Sequence, residues 1–137
     1  MIQNKGGHIG ITSSISGKFG FYLRSSYAAS KHALHGYFES VGMEYESSGI
    51  YVTIACPGRV KTNISVNALA GDGKKHGDRD PGQEGGITPE ECAVSYLKAI
   101  YRRKKEVLIG RKELIMVYLK RYFPGLFFKL SKKIKPL

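Results

Sequence analysis

Apolar and polar positions along the 137 residues fall into short blocks of two kinds, and the kinds alternate. His8 to Ser14, "HIGITSS", is a brief apolar, β-branched run behind a Gly-Gly turn, the pattern of a buried strand. "ISGKFGFYLR" follows with Gly17 and Gly20 and predicts a loop. From Ser25 the pattern turns helical: Ser25 and Ser26 are candidate caps, and Leu34, Phe38, Val41 and Tyr45 recur at three- and four-residue spacing until Ser47-Ser48-Gly49 closes the run. "YVTIAC", Tyr51 to Cys56, is a second buried-strand candidate, stopped by Pro57-Gly58. Residues 62–69 suit a short helix, and Gly71 to Gly86 is Gly-rich and polar, which predicts a long mobile loop. Thr88-Pro89-Glu90-Glu91 combines a cap, a proline at the first helical position and acids in the first turn, and predicts a helix to about Arg103. "EVLIG", Glu106 to Gly110, is a third short strand, ahead of an apolar-basic tail.

Strands separated by helices indicate an α/β fold with a parallel sheet. Three such strands make half of a doubly wound sheet and leave a strand edge and an apolar helix face uncovered. At 137 residues and 42% apolar the chain is long enough for one core, with no internal repeat and no linker to a second domain.

The two cysteines, Cys56 and Cys92, are too few and too far apart for a disulfide framework or for metal-ligand spacing, so free thiols in a reducing, intracellular compartment are expected. "MIQNKGGHIG" has no apolar core of signal-peptide length, and no apolar run approaches the ~20 residues that span a bilayer. A cytoplasmic chain, or one on the surface of an intracellular membrane, follows. The formal net charge of +11 suggests an anionic partner, but its location narrows that reading. Residues 1–97 carry nine basic and nine acidic side chains, whereas residues 98–137 carry 13 basic against Glu106 and Glu113 alone. The basic character belongs to the tail. Nucleic acid is not an expected partner, because no recognised binding motif accompanies the charge.

Candidate chemistry begins with Tyr27 and Lys31, one helical turn apart in "YAASK". The spacing alone decides nothing: nine tyrosines and 15 lysines in 137 positions predict about one chance match, and Tyr101 with Lys105 supplies a second. Setting separates the two. Thirteen residues before Tyr27, Ser14 closes the first strand candidate, and the Tyr27 helix leads into "YVTIACPGRVKT". Side chains at the carboxyl ends of parallel strands converge where open α/β sheets bind ligands. The residue at the same offset from Tyr101 is Thr88, at a helix start, and Lys105 lies in a basic loop, so Tyr101 is expected to be a decoy.

Through "GHIGITSSISG", "YAASK" and "CPGRVKT", in that order and spacing, the chain resembles the carboxyl-terminal half of a short-chain dehydrogenase/reductase. The resemblance is close over the first 65 residues and covers nearly all 137 in outline. "TNISVNALAGDG" and "FPGLFF" resemble the membrane-associated branch that includes an acyl- and alkyl-dihydroxyacetone-phosphate reductase. The resemblance implies a Rossmann-like fold, a nicotinamide cofactor, NADP(H) or NAD(H), and interconversion of a carbonyl and a secondary alcohol. It makes residues 1–110 the catalytic half of the domain, with a substrate-lid loop at 69–87 and a separate tail at 111–137.

The chemistry gives each site residue a reason. Reduction of a carbonyl leaves charge on oxygen, and an acid must deliver a proton as hydride arrives. A phenol alone is a poor donor-acceptor near neutrality, and a lysine ammonium one turn away favours the phenolate. Ser14 would hydrogen-bond the carbonyl oxygen, with Ser13 the competing choice. By resemblance Lys31 also holds the ribose hydroxyls, the turn at Pro57 and Gly58 belongs to the cofactor site, the backbone at Val60 meets the nicotinamide carboxamide, and Thr62 lies near the cofactor's amide or phosphates. His8, His32, His35 and His76 show no metal-like grouping and are expected to be non-catalytic.

The family's Gly-rich phosphate-binding turn has no counterpart in these residues, and "MIQNKGG" suits the last turn of a helix entering a strand. The expectation is a proton-relay site without a complete dinucleotide site, in a chain that folds poorly alone. A full-length chain would be a homo-oligomer, as is usual in the family. The aromatic-basic tail suits an interfacial segment at anionic headgroups, and a lipophilic substrate; packing over the substrate pocket or against another subunit is the alternative for the tail. The alternative for the whole chain is a catalytically inactive piece with only a membrane- or partner-binding role.

Overall fold

Among the described residues strands and α-helices follow one another as β1 (Gly7–Thr12), α1 (Ser25–Glu44), β2 (Ile50–Pro57), α2 (Pro89–Tyr101), β3 (Glu106–Ile109), α3 (Ile115–Tyr122) and α4 (Pro124–Ser131). They are seen in a computed structural model, which describes residues 1–64, 66, 67, 73, 77 and 84–132. The strands pair in parallel, in the order β1-β2-β3. The register aligns Thr12 with Ala55 and Pro57 with Ile109, so the carboxyl ends of neighbouring strands lie close together. Among the described residues β1 and β3 each have one unpaired edge, as half of a doubly wound sheet requires.

The central strand explains its own composition. Val52, Ile54 and Cys56 pack on one face with Ile9, Ile11, Leu108 and, from α1, Phe38 and Val41. Ala55 packs on the other with Ile87, Ile109 and, from α2, Cys92 and Tyr96. A strand buried on both faces cannot alternate apolar with polar, hence the unbroken "YVTIAC". Gly10 on β1 has a packing reason as well, since a Cβ there would lie 2.8 Å from the Tyr96 hydroxyl oxygen.

Helix ends show where local signals held and where they did not. α2 starts as its sequence predicts: Glu91 N–H donates to Thr88 Oγ1 at 3.2 Å and Thr88 N–H donates to Glu91 Oε2 at 2.8 Å, a closed capping box. α1 does not use the expected serine caps. Arg24 is its N-cap without a side-chain bond, and Ser25 and Ser26 already lie inside the helix. The left-handed Leu23, φ 56°, turns the chain into the helix at that point. α1 ends at Glu44, a short 3-10 turn covers Glu46–Ser48, and Gly49 at φ 72° reverses the chain into β2.

The tail folds into two helices, split at Phe123 because a residue before proline is disfavoured in the helical region. Phe127 of α4 is buried edge-on against Phe19, ring centroids 5.1 Å apart, which docks the tail on the loop that follows Ser14. Tyr118, Tyr122, Phe123, Leu126 and Phe128 remain exposed. Among the described residues no helix is long and apolar enough to cross a membrane. Of the short helix expected over 62–69, one turn is described, with Asn67 N–H donating to Asn63 C=O at 3.0 Å. The remainder of that segment, His76 and most of the loop expected over 69–87 lie outside the described residues.

Candidate active site

The site is assembled from the end of β1 and the first turns of α1. Lys31 Nζ donates to the Thr12 carbonyl at 3.1 Å, and Ser13 Oγ donates to the Lys31 carbonyl at 3.2 Å. These two bonds run in opposite directions between the same two elements and fix their relative height. The i, i+4 spacing on α1 brings the Lys31 ammonium to 5.7 Å from the centre of the Tyr27 ring. Tyr27 is 42% exposed, so its side chain is reachable from solvent.

Ser14 stands two residues past the end of β1, buried, and caps a 3-10 turn over Ile15–Gly17. Ser16 N–H donates to Ser14 Oγ at 3.1 Å, and the same hydroxyl donates to the Pro57 carbonyl at 3.5 Å. Ser14 and Pro57 therefore meet at the carboxyl ends of adjacent parallel strands. Ser14 and Tyr27 share no direct hydrogen bond.

Beyond Pro57 the chain leaves the sheet but stays tied. Gly58 N–H donates to the Ile109 carbonyl at 2.7 Å, and Val60 forms an isolated parallel bridge with Ile87. In that bridge Ile87 N–H donates to Arg59 C=O at 3.0 Å and Lys61 N–H donates to Ile87 C=O at 2.9 Å. Extended backbone alternates, so the N–H and C=O of Val60 itself point the other way. Thr62 lies farther along and exposed; its Oγ1 accepts from Ile64 N–H at 3.4 Å, with no bond to Ser14, Tyr27 or Lys31.

Beneath the site lies a polar cluster that one-dimensional spacing does not reveal. His35 Nε2 lies 3.1 Å from Ser13 Oγ and 3.6 Å from Cys56 Sγ. Its Nδ1 lies 3.4 Å from Glu39 Oε1 and 3.5 Å from Glu106 Oε2, without the alignment of a hydrogen bond. The expectation that the histidines have no metal-like grouping is corrected here, since ligand atoms of His35, Cys56 and Glu106 all lie within 4.8 Å of one another. As arranged, the cluster already has its cation: Lys18 Nζ is 2.7 Å from Glu106 Oε2. Burial, helped by Glu106 and opposed by Lys18, pushes the Cys56 thiol up to about 12, which keeps it a protonated and poor ligand. Burial first, then Lys18, holds the His35 imidazole below its usual range against the pull of Glu106 and Glu39.

Several contributors escape the sequence reading. Thr12 acts through a main-chain carbonyl, which leaves no side-chain signal. Ser13 and His35 meet across 22 positions, and only the packing of α1 against the end of β1 brings them together. Tyr101, by contrast, is 90% exposed at the end of α2, and Lys105 pairs loosely with Glu46 at 3.5 Å.

The short chain dehydrogenase family matches residues 1–72, a span that holds Ser14, Tyr27, Lys31 and the turn after β2. The chain is 42% identical over 131 residues to the dehydrogenase/reductase SDR family member 7B of Xenopus laevis, covering 95% of this chain and 41% of the relative. It thus spans about two fifths of the length of the curated relatives it matches. Among solved structures it resembles a short chain dehydrogenase from Burkholderia cenocepacia in complex with NADP, with a TM-score of 0.73 and 20% identity over 95% of this chain and 49% of that one. A short chain dehydrogenase/reductase from Burkholderia phymatum in complex with NAD gives a TM-score of 0.70 and 21% identity over 90% of this chain and 50% of that one.

Proposed function

The chain belongs to the short chain dehydrogenase family, and from that membership we propose that it serves an NAD(H)- or NADP(H)-dependent oxidoreductase interconverting a carbonyl and a secondary alcohol. The observation that carries the reading is the Lys31 ammonium, strapped to Thr12 and held 5.7 Å from the Tyr27 ring in front of the strand ends. Tyr27 gives a proton to the substrate oxygen in reduction and takes it back in oxidation. Lys31 holds its ammonium beside the ring from which that proton moves. Ser14 donates its hydroxyl proton to the developing oxyanion; Ser16 N–H occupies one of its lone pairs, and the O–H turns to the substrate from its long 3.5 Å bond to the Pro57 carbonyl.

A nicotinamide dinucleotide, when bound, supplies or accepts the hydride. The residues present fit it at one end. Lys31 has donors beyond the one spent on Thr12 for ribose hydroxyls, and the outward N–H and C=O of Val60 suit a carboxamide, with Pro57, Gly58 and Thr62 framing the same turn. The substrate is proposed to be lipophilic. Residues 111–137 are proposed to rest on an intracellular membrane surface through the exposed Tyr122, Phe123, Leu126 and Phe128 and their neighbouring lysines. The buried Phe127 supports the second reading of the tail, packing beside the site, and one helix can do both.

Tyr27→Phe in the polypeptide as its cell makes it tests the assignment. Turnover should fall by about 10²- to 10⁴-fold with cofactor affinity kept. Turnover near wild type sinks the acid/base role. A wild-type polypeptide that binds vesicles or a partner but turns over no carbonyl substrate favours the alternative of a binding-only chain.

A further inference from the structure

We propose that Glu113 is a positioning residue for the cofactor-binding turn, its carboxylate clamping Gly58–Val60 to the segment that follows β3. The functional half of this inference rests on the oxidoreductase reading; the clamp itself rests on geometry alone.

Glu113 lies in the 3-10 turn Lys112–Leu114, immediately beyond β3. Its Oε1 accepts the Arg59 N–H at 3.0 Å and the Arg111 N–H at 3.2 Å. One oxygen thus gathers two main-chain donors from beyond the ends of two neighbouring strands, and bonds from N–H to a carboxylate are charge-assisted. The glycines beside those donors are shaped to it. A Cβ on Gly58 would collide with Glu113 Oε1 and lie 2.8 Å from its Cγ, and a Cβ on Gly110 would lie 2.5 Å from the same Oε1. Gly58, which the family resemblance assigns to the cofactor, therefore has a reason within the chain: it makes room for Glu113.

The need for a clamp follows from the topology. The β2–β3 ladder ends at Pro57 with Ile109, and the turn must then present the Val60 amide and carbonyl in one orientation. Ile87 holds the far side of the turn through its bridge to Val60, and Glu113 holds the near side through Arg59. A turn fixed before binding loses less freedom on binding, which raises affinity without touching the chemical step. Glu113 carries this out from the tail side, so the tail and the cofactor turn form one unit.

The test has two arms, on Glu113→Ala, which removes the acceptor, and Glu113→Gln, which keeps an acceptor oxygen in place. In amide hydrogen exchange of the chain, Glu113→Ala should speed exchange at Arg59 and Arg111 by about fivefold or more, and Glu113→Gln much less. In steady-state assays of the natively made polypeptide, Glu113→Ala should raise KM for the nicotinamide cofactor about fivefold with kcat within about twofold, and Glu113→Gln should restore most of it. Gly110→Ala, pushing on the same oxygen, should reproduce the alanine phenotype. Unchanged exchange at both amides overturns the clamp. Accelerated exchange with unchanged KM overturns the positioning role. Absence of turnover in the unmutated protein counts against the oxidoreductase reading, and the exchange arm still decides the clamp.

Discussion

Lys31 Nζ donates to the main-chain carbonyl of Thr12 across 3.1 Å, so the lysine placed one turn from Tyr27 is also the strap that ties α1 to the end of β1. A side chain with both duties reports on each separately, through turnover and through stability.

Lys31→Ala should lower turnover by about 10²- to 10⁴-fold, since the ammonium beside the Tyr27 ring is lost. It should also cost about 1 kcal/mol of stability through the lost strap, a drop of roughly 3–6 °C in melting temperature. Steady-state kinetics and thermal melts read the two effects, and an active Lys31→Ala enzyme would remove the lysine from the mechanism.

The adjacent serines should divide. Ser14→Ala is expected to cost about 10²- to 10³-fold in kcat with little change in melting, as for loss of one oxyanion donor. Ser13→Ala strips a buried hydroxyl from His35 and from the Lys31 carbonyl, and should cost about 1–3 kcal/mol in urea unfolding. The reverse pattern would exchange their roles.

His35 gives stability a pH dependence of definite sign. Burial holds its folded value below the unfolded one, so the unfolded chain binds a proton that the folded chain resists. Its contribution is fully present above the unfolded value of about 6.5 and is lost as pH falls through the lowered folded value. Urea unfolding at pH 7.5 and pH 5.5 should show the decline, and His35→Gln should flatten it; an unchanged slope in His35→Gln refutes the assignment. Glu113, depressed despite burial because Arg59 and Arg111 amides and the Arg59 charge outweigh it, acts in a separate window. Its contribution is complete above the ordinary carboxylate range and is lost only in stronger acid.

The thiols should differ in reactivity. Cys56 is fully buried with its pKa pushed up to about 12, whereas Cys92 is only half-buried, its thiol raised by burial. Iodoacetamide at pH 8 followed by peptide mass spectrometry should find Cys92 alkylated first and Cys56 only on unfolding.

The membrane proposal predicts flotation with anionic vesicles that the combined substitution Phe123→Ser, Leu126→Ser and Phe128→Ser abolishes. Phe127 is left in place because it is buried against Phe19 and its loss would unfold the tail. Flotation unaffected by the three serines would move the contact elsewhere.

Much of the fold was legible because its signals are local. The double-sided burial of β2 is written in "YVTIAC", the start of α2 in Thr88-Pro89-Glu90-Glu91, and the Tyr27–Lys31 approach in a four-residue spacing on a helix. Local signals failed where something stronger stood nearby. Ser25 and Ser26 yielded the cap of α1 to Arg24 because the left-handed Leu23 starts the helix earlier. The tail's helical form was hidden by a pattern in which Phe127 is the one fully buried aromatic among several exposed ones.

By itself the sequence determined the order of strands and helices, the candidate proton relay at Ser14, Tyr27 and Lys31, and the confinement of positive charge to the tail, since each is a matter of neighbours along the chain. The tertiary structure decided what that relay leans on: the Thr12 carbonyl under Lys31, His35 and Cys56 beneath Ser13, and Glu113 bonded to Arg59 across 54 positions. Those partners are main-chain groups or distant side chains. Only the parallel register of three strands, with α1 packed against the end of β1, brings them within bonding distance, and no spacing in one dimension encodes it.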